Sequence, residues 1–142
     1  MWYSYKWKYI IIIKYVLRED IKMTKPSVYH SQGYNCAESL IKSFNEEHNT
    51  NIPVSLGSGM GSGVTVGSLC GAVNAAAMIV GYIKGRENSG EANEARGYAR
   101  ELMKRVREKF NSEICIDLKR DKVSCDEIID FSYEALKDVL DK

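Results

Sequence analysis

The stretch GSGMGSGVTVGSLCGAVNAAAMIVG, residues 57–81, runs from a glycine-rich loop through Cys70 into a segment of small residues. Gly57, Gly59, Gly61, Gly63 and Gly67 open backbone angles closed to other residues and let the chain pass close to a ligand or a neighbouring helix. The segment after them, roughly Leu69 to Tyr82, is rich in Ala and Gly, which predicts a central, buried helix whose backbone lies near its neighbours. Ser68 is placed to cap that helix, with Cys70 in its first turn. Unpaired N–H groups and the positive end of the helix dipole favour a thiolate there, which makes Cys70 the leading candidate nucleophile. The glycine run does not read as a nucleotide cradle. Val64 and Val66 stand where a third glycine would be required, no strand signal precedes the loop, and no GK[ST] comes after it. Gly59, Gly61 and Gly71 are the backbone positions that a bound group could approach.

Towards the N-terminus, Pro26 to about Asn45 has helical spacing, with Tyr29, Gln32, Cys36, Leu40 and Phe44 on one stripe and Ile41 widening it. Pro26 suits a first turn, and Cys36 is expected to face inward. Gly33 within this pattern predicts a close backbone approach or a local break near Cys36. Downstream, a polar turn at Lys84 to Gly90 leads into an amphipathic helix over Glu91 to Phe110. Ala92, Ala95, Ala99, Leu102, Met103, Val106 and Phe110 form its apolar face, and Arg96, Arg100, Lys104 and Arg107 form a solvated basic one. Asn111 to Ser124, which includes Cys115, reads as irregular. Ser124-Cys-Asp-Glu127 is a capping box that opens a last helix to about Leu140, with Ile128, Phe131, Ala135, Leu136, Val139 and Leu140 facing in and Cys125 at its first position. The expected fold is all-α: a single compact bundle of about four to five helices, with the glycine loop preceding the central small-residue helix.

The 142 residues suffice for one domain that folds without staples. Residues 1–22 differ in character, with Trp and Tyr interleaved with Lys6, Lys8, Lys14, Arg18 and Lys22. Their uncharged apolar run, Tyr9 to Ile13, is too short for a secretory signal or a membrane span. They read as an appended strand or helix, a membrane-surface anchor, or an upstream extension, with the domain proper at 23–142. The net charge of +1 is uneven, +3 over residues 1–22 and −2 over the remainder, so bulk attraction of the body to nucleic acid is excluded. Membrane association is not expected of the body of the domain, and a cytoplasmic location is.

The chain has 4 cysteines, Cys36, Cys70, Cys115 and Cys125, at intervals of 34, 45 and 10 residues. That density is far below a secreted disulfide scaffold, and no CxxC occurs. Two chemistries suit such a set. In thiol exchange, the Cys70 thiolate attacks a substrate disulfide or an oxidant and a second cysteine resolves the mixed disulfide. In metal binding, the same four cysteines are the ligands of a Zn or Fe–S centre. A structural Zn site, or a helical interaction module in which the cysteines merely pack, is the alternative. His30, six residues before Cys36, is a possible ligand or proton carrier, and His48 carries less.

Gly33-Tyr34-Asn35-Cys36-Ala37-Glu38, the glycine loop, Cys70-Gly71-Ala72, and then Cys115 and Cys125 in that order resemble a family of small redox-type proteins named for its pattern, C_GCAxxG_C_C. The resemblance runs from about Pro26 to Lys142. It implies an all-helical, redox-active domain using Cys36, Cys70, Cys115 and Cys125, with an unidentified redox partner or small molecule. Ala75 departs from the family's CGAxxG, which has glycine at that position.

Overall fold

Pro26 presets the backbone angle of a first helical turn and lacks an N–H that would have gone unpaired, and in the computed structural model it opens α1, Pro26–Ser31. The structure describes residues 25–141; residues 1–22, including the expected extension, lie outside the described residues. The single helix expected from Pro26 to Asn45 is two. The chain breaks over Gln32–Asn35, where Gly33 takes φ +103°, a left-handed angle that glycine adopts without the steric cost a β-carbon brings. Gln32 is consequently exposed rather than on the buried stripe. α2, Cys36–His48, then starts afresh with Cys36 as its first residue.

Four long helices and two six-residue helices make up the described fold: α1, α2, α3 (Gly71–Lys84), α4 (Ala95–Phe110), α5 (Cys115–Arg120) and α6 (Cys125–Leu140). The small-residue helix α3 is central as expected and contacts α2, α4 and α6. Gly71, Ala72, Val73, Ala75, Ala76, Ile79 and Val80 are buried along it. Ala75 is 0% exposed, its methyl group packed within the core. The expected apolar face of α4 is realised by Leu102, Val106 and Phe110, although the helix begins at Ala95 and leaves Ala92 exposed. On α6 the buried face also includes Ile129, Ser132 and Tyr133.

Two tyrosines tie the outer helices to the end of α2. The Tyr29 hydroxyl donates to Glu46, and that of Tyr133 to Glu47. Burial, reinforced by the Glu46 carboxylate, pushes the Tyr29 phenol up to about 12. Among the described residues no helix is long and apolar enough to cross a membrane. Leu136 of α6 is 0% exposed within this core, so Leu136→Ala is expected to lower the free energy of unfolding by about 2–5 kcal/mol in denaturant titration.

Candidate functional site

Each of the four cysteines stands at the start of a helix. Cys36 is the first residue of α2, Cys115 the first of α5 and Cys125 the first of α6, while Cys70 is the N-cap of α3. All four line one cavity of ≈ 100 Å³, together with His30, Gly63, Gly71 and the apolar side chains of Leu118, Val123 and Ile128. None is paired in a disulfide, and their exposure is graded: Cys125 is exposed, Cys36 half-buried, Cys70 and Cys115 buried.

Local chemistry sets each position. The Asn35 side chain accepts from the Glu38 N–H at 2.8 Å, and the Glu38 carboxylate accepts from the Asn35 N–H at 2.9 Å, a complete capping box. The Asn35 amide also donates to the Gly57 carbonyl at 3.1 Å, which holds the glycine loop against the start of α2. Sequence reasoning missed this box, although N-x-x-E at Asn35–Glu38 spells it. The expected box at Ser124 is only half made: the Ser124 hydroxyl accepts from the Glu127 N–H at 3.1 Å.

Cys70 and Cys115 are brought side by side by a short antiparallel pairing of Leu69 with Ile114. The Cys70 N–H donates to the Glu113 carbonyl at 2.9 Å and the Cys115 N–H to the Ser68 carbonyl at 2.7 Å. Arg107 holds Glu113 through two hydrogen bonds at 2.9 and 2.6 Å. The guanidinium keeps this carboxyl below its ordinary value.

The loop before α3 is folded into a left-handed turn. Ser62, Gly63, Val64 and Thr65 have φ of 54°, 63°, 55° and 61° in succession. For L-residues such angles cost roughly 1–2 kcal/mol each, and a β-branched residue has little other reason to adopt them. Only glycine fits at position 63, since a β-carbon there would stand 2.6 Å from Cβ of Cys115 and from Ser68 N. Of the glycines singled out from the sequence, Gly71 lines the cavity and Gly61 packs on the Asn35 side chain, whereas a β-carbon at Gly59 would meet nothing within 4 Å.

The expectation of an activated Cys70 thiolate needs correction. Ser68 does not cap α3; Cys70 itself is the N-cap and its sulfur makes no capping hydrogen bond. Burial pushes its thiol up to about 11, helped by the neighbouring Cys36 and Cys115 sulfurs, and the N–H groups of Val73 and Ala72 only partly oppose this. Burial outweighs the helix end because withdrawing a thiolate from water costs more than two nearby amides return. Cys36 is also raised, by burial first, against the opposing N–H groups of Ser62 and Ala37 and with a further push from Cys125. These mutual effects link Cys125 to Cys36 and Cys36 to Cys70, with Cys115 beside Cys70, so the set runs from exposed Cys125 through half-buried Cys36 to the buried pair Cys70 and Cys115.

As a donor set the four thiols suit a metal in kind. Their spacing does not: among the described residues no three His, Cys, Asp or Glu side chains converge to hold an ion.

Residues 34–139 match the model of a family described as "Putative redox-active protein (C_GCAxxG_C_C)". The chain belongs to this family. As a C_GCAxxG_C_C protein it shares a description that names redox activity and a pattern whose cysteines are those of the cavity. No curated protein and no solved structure matches the chain.

This geometry has two measurable outcomes. An unfolded chain loses the Cys70 proton near the ordinary thiol value of 9.0, the folded chain near 11. Between those values the folded state binds more protons, so the contribution of Cys70 is fully present below pH 9 and is lost as pH rises towards 11. Urea midpoints measured across this window should therefore fall more steeply for the wild type than for Cys70→Ala. Gly71→Ala would set a β-carbon 2.5 Å from the Cys36 sulfur and 2.7 Å from the Met60 carbonyl oxygen. It is expected to cost roughly 1–3 kcal/mol and to speed alkylation of Cys36 as that thiol is pushed out, read by peptide-resolved mass spectrometry.

Proposed function

We propose that this protein carries reducing equivalents by thiol–disulfide exchange through its four cysteines, in the cytoplasm, with Cys125 as the thiol that meets the partner. The observation that supports this most directly is the gathering of four unpaired cysteines from four helix starts into one cavity, graded from exposed to buried. An exposed thiol backed by a half-buried one is the arrangement that exchange requires, because the first sulfur must be reachable and the second must be able to resolve the product.

In the proposed sequence the Cys125 thiolate attacks a partner disulfide, a new S–S bond forms, and the partner's other sulfur leaves as a thiolate. The Cys36 thiolate then attacks the Cys125 sulfur and expels the remaining partner thiolate. A Cys36–Cys125 disulfide remains, two cysteine thiols have been oxidised, and the partner disulfide has been reduced to two thiols that take up the two protons released. Cys70 and Cys115 lie deeper and are reached by internal exchange from Cys36. The sulfur of Cys36 lies against Gly71, the residue next to Cys70, which supports that inner step. No step runs through a metal or iron–sulfur centre, because the ligand spacing does not fit one.

The test is exposure of the reduced full-length protein to a small aromatic disulfide, with thiol mapping by mass spectrometry and metal analysis of the same sample. Wild type should lose two hydrogens and yield a Cys36–Cys125 linkage. Cys36→Ser should accumulate a mixed disulfide on Cys125, and Cys125→Ser should slow the reaction by roughly tenfold or more. Thiols that remain reduced, or that are occupied by stoichiometric metal, would overturn the reading.

A further inference from the structure

α1 is fastened to α6 at two points. The Ser27 N–H and hydroxyl both donate to the Asp130 carboxylate, at 3.0 and 2.8 Å. One turn further along α1, Nδ1 of His30 meets Oδ1 of Asp126 at 2.9 Å. Residues three apart on α1 thus face residues four apart on α6, which puts both pairs on one contact seam. Because an ionised carboxylate can only accept, Nδ1 carries the hydrogen, and in the neutral ring the free lone pair is on Nε2. Nε2 makes no hydrogen bond among the described residues, and His30 is one of the residues lining the thiol cavity.

Asp126 is the residue after Cys125, so the carboxylate that orients the imidazole and the exposed thiol share the first turn of α6. Besides His30, the basic residue lining the cavity is Lys119 of α5; α2 contributes Cys36 and its N-cap Asn35, α3 contributes Gly71, none of them cationic, and Asp130 is engaged by Ser27. A nucleophile, a base and a third group orienting the base are the parts from which activated thiols are built.

We infer that His30, oriented by Asp126, is the base that takes the proton of the Cys125 thiol as it attacks. The inference rests on the thiol-exchange reading and deepens it. As the Cys125 S–H bond breaks, the proton passes to Nε2, the sulfur electron pair forms the new S–S bond, and the displaced partner thiolate takes the proton back from Nε2. Asp126 stabilises the transient imidazolium through Nδ1–H, and Ser27–Asp130 positions the helix that carries the ring.

The experiment is peptide-resolved alkylation of Cys125 by iodoacetamide in the full-length reduced protein at about pH 6.5 and about pH 9.5. An unassisted thiol is ionised to only about 1% two units below its ordinary value. At the lower pH, wild type is expected to react roughly tenfold faster than His30→Gln, with Asp126→Asn between them. At the higher pH the three should converge, since the thiolate then forms without a base. Equal rates for wild type and His30→Gln at pH 6.5 would overturn the inference. So would an equal loss at both pH values, the mark of a merely structural role, with circular dichroism reporting helicity of each variant. Alkylation needs no disulfide partner, so a His30-dependent Cys125 in a protein that performs no exchange would refute the exchange reading alone.

Discussion

The Cys36 sulfur rests on the backbone at Gly71, 2.5 Å from where a β-carbon would be, and the site depends on that contact. Two helix starts, those of α2 and α3, can abut only because one of them begins with a residue that has no side chain. Close approach brings Cys36 to Cys70, and the Leu69–Ile114 pairing brings Cys70 to Cys115. The glycine loop is what makes this possible. It crosses from Asn35 to Cys115 in a few residues and accepts left-handed angles at four successive positions to do so. Strain of that kind persists only where the surroundings over-determine it. Here the Ser68 N–H donates to the Gly63 carbonyl at 2.8 Å, and Asn35 holds the carbonyl of Gly57.

Electrostatics within the cavity is a contest between helix ends and burial. Helix starts favour negative charge by about 0.3–1 kcal/mol where they are exposed, and amide N–H groups face both Cys36 and Cys70. Burial and the neighbouring sulfurs act against them and prevail at both residues. The result is a gradient from an exposed thiol at Cys125 to a protonated one at Cys70. A gradient suits passage of a disulfide inward better than four equivalent thiols would, because each sulfur has a distinct accessibility to its attacker.

Much of this was legible in the sequence. The period of apolar residues marked α2, α4 and α6, the run of small residues marked α3 as central, and Ser124 marked the start of α6. The ordered cysteines pointed to redox chemistry before any of them had a position. The remainder was hidden for specific causes. The split between α1 and α2 depended on Gly33 adopting a positive φ, and the stripe from Tyr29 to Phe44 is compatible with one helix or two. The helix Cys115–Arg120 is too short for periodicity to register. The Asn35 box was readable and was masked by the longer helical pattern around it.

The helical class and the central place of the small-residue segment were settled along the chain alone, because they rest on local period and side-chain volume, and residue type alone singled out the four thiols as candidates. Three-dimensional packing was needed to establish that the thiols share one cavity, that Cys70 and Cys115 are its buried members and Cys125 the exposed one, and that His30, held by Asp126, lines it too. Those properties are long-range: they depend on how α3, α5 and α6 cross in space and on how much water each sulfur keeps. No spacing along the chain encodes the water left around a side chain, so a cysteine at a helix start could be read as activated when its burial made it the opposite.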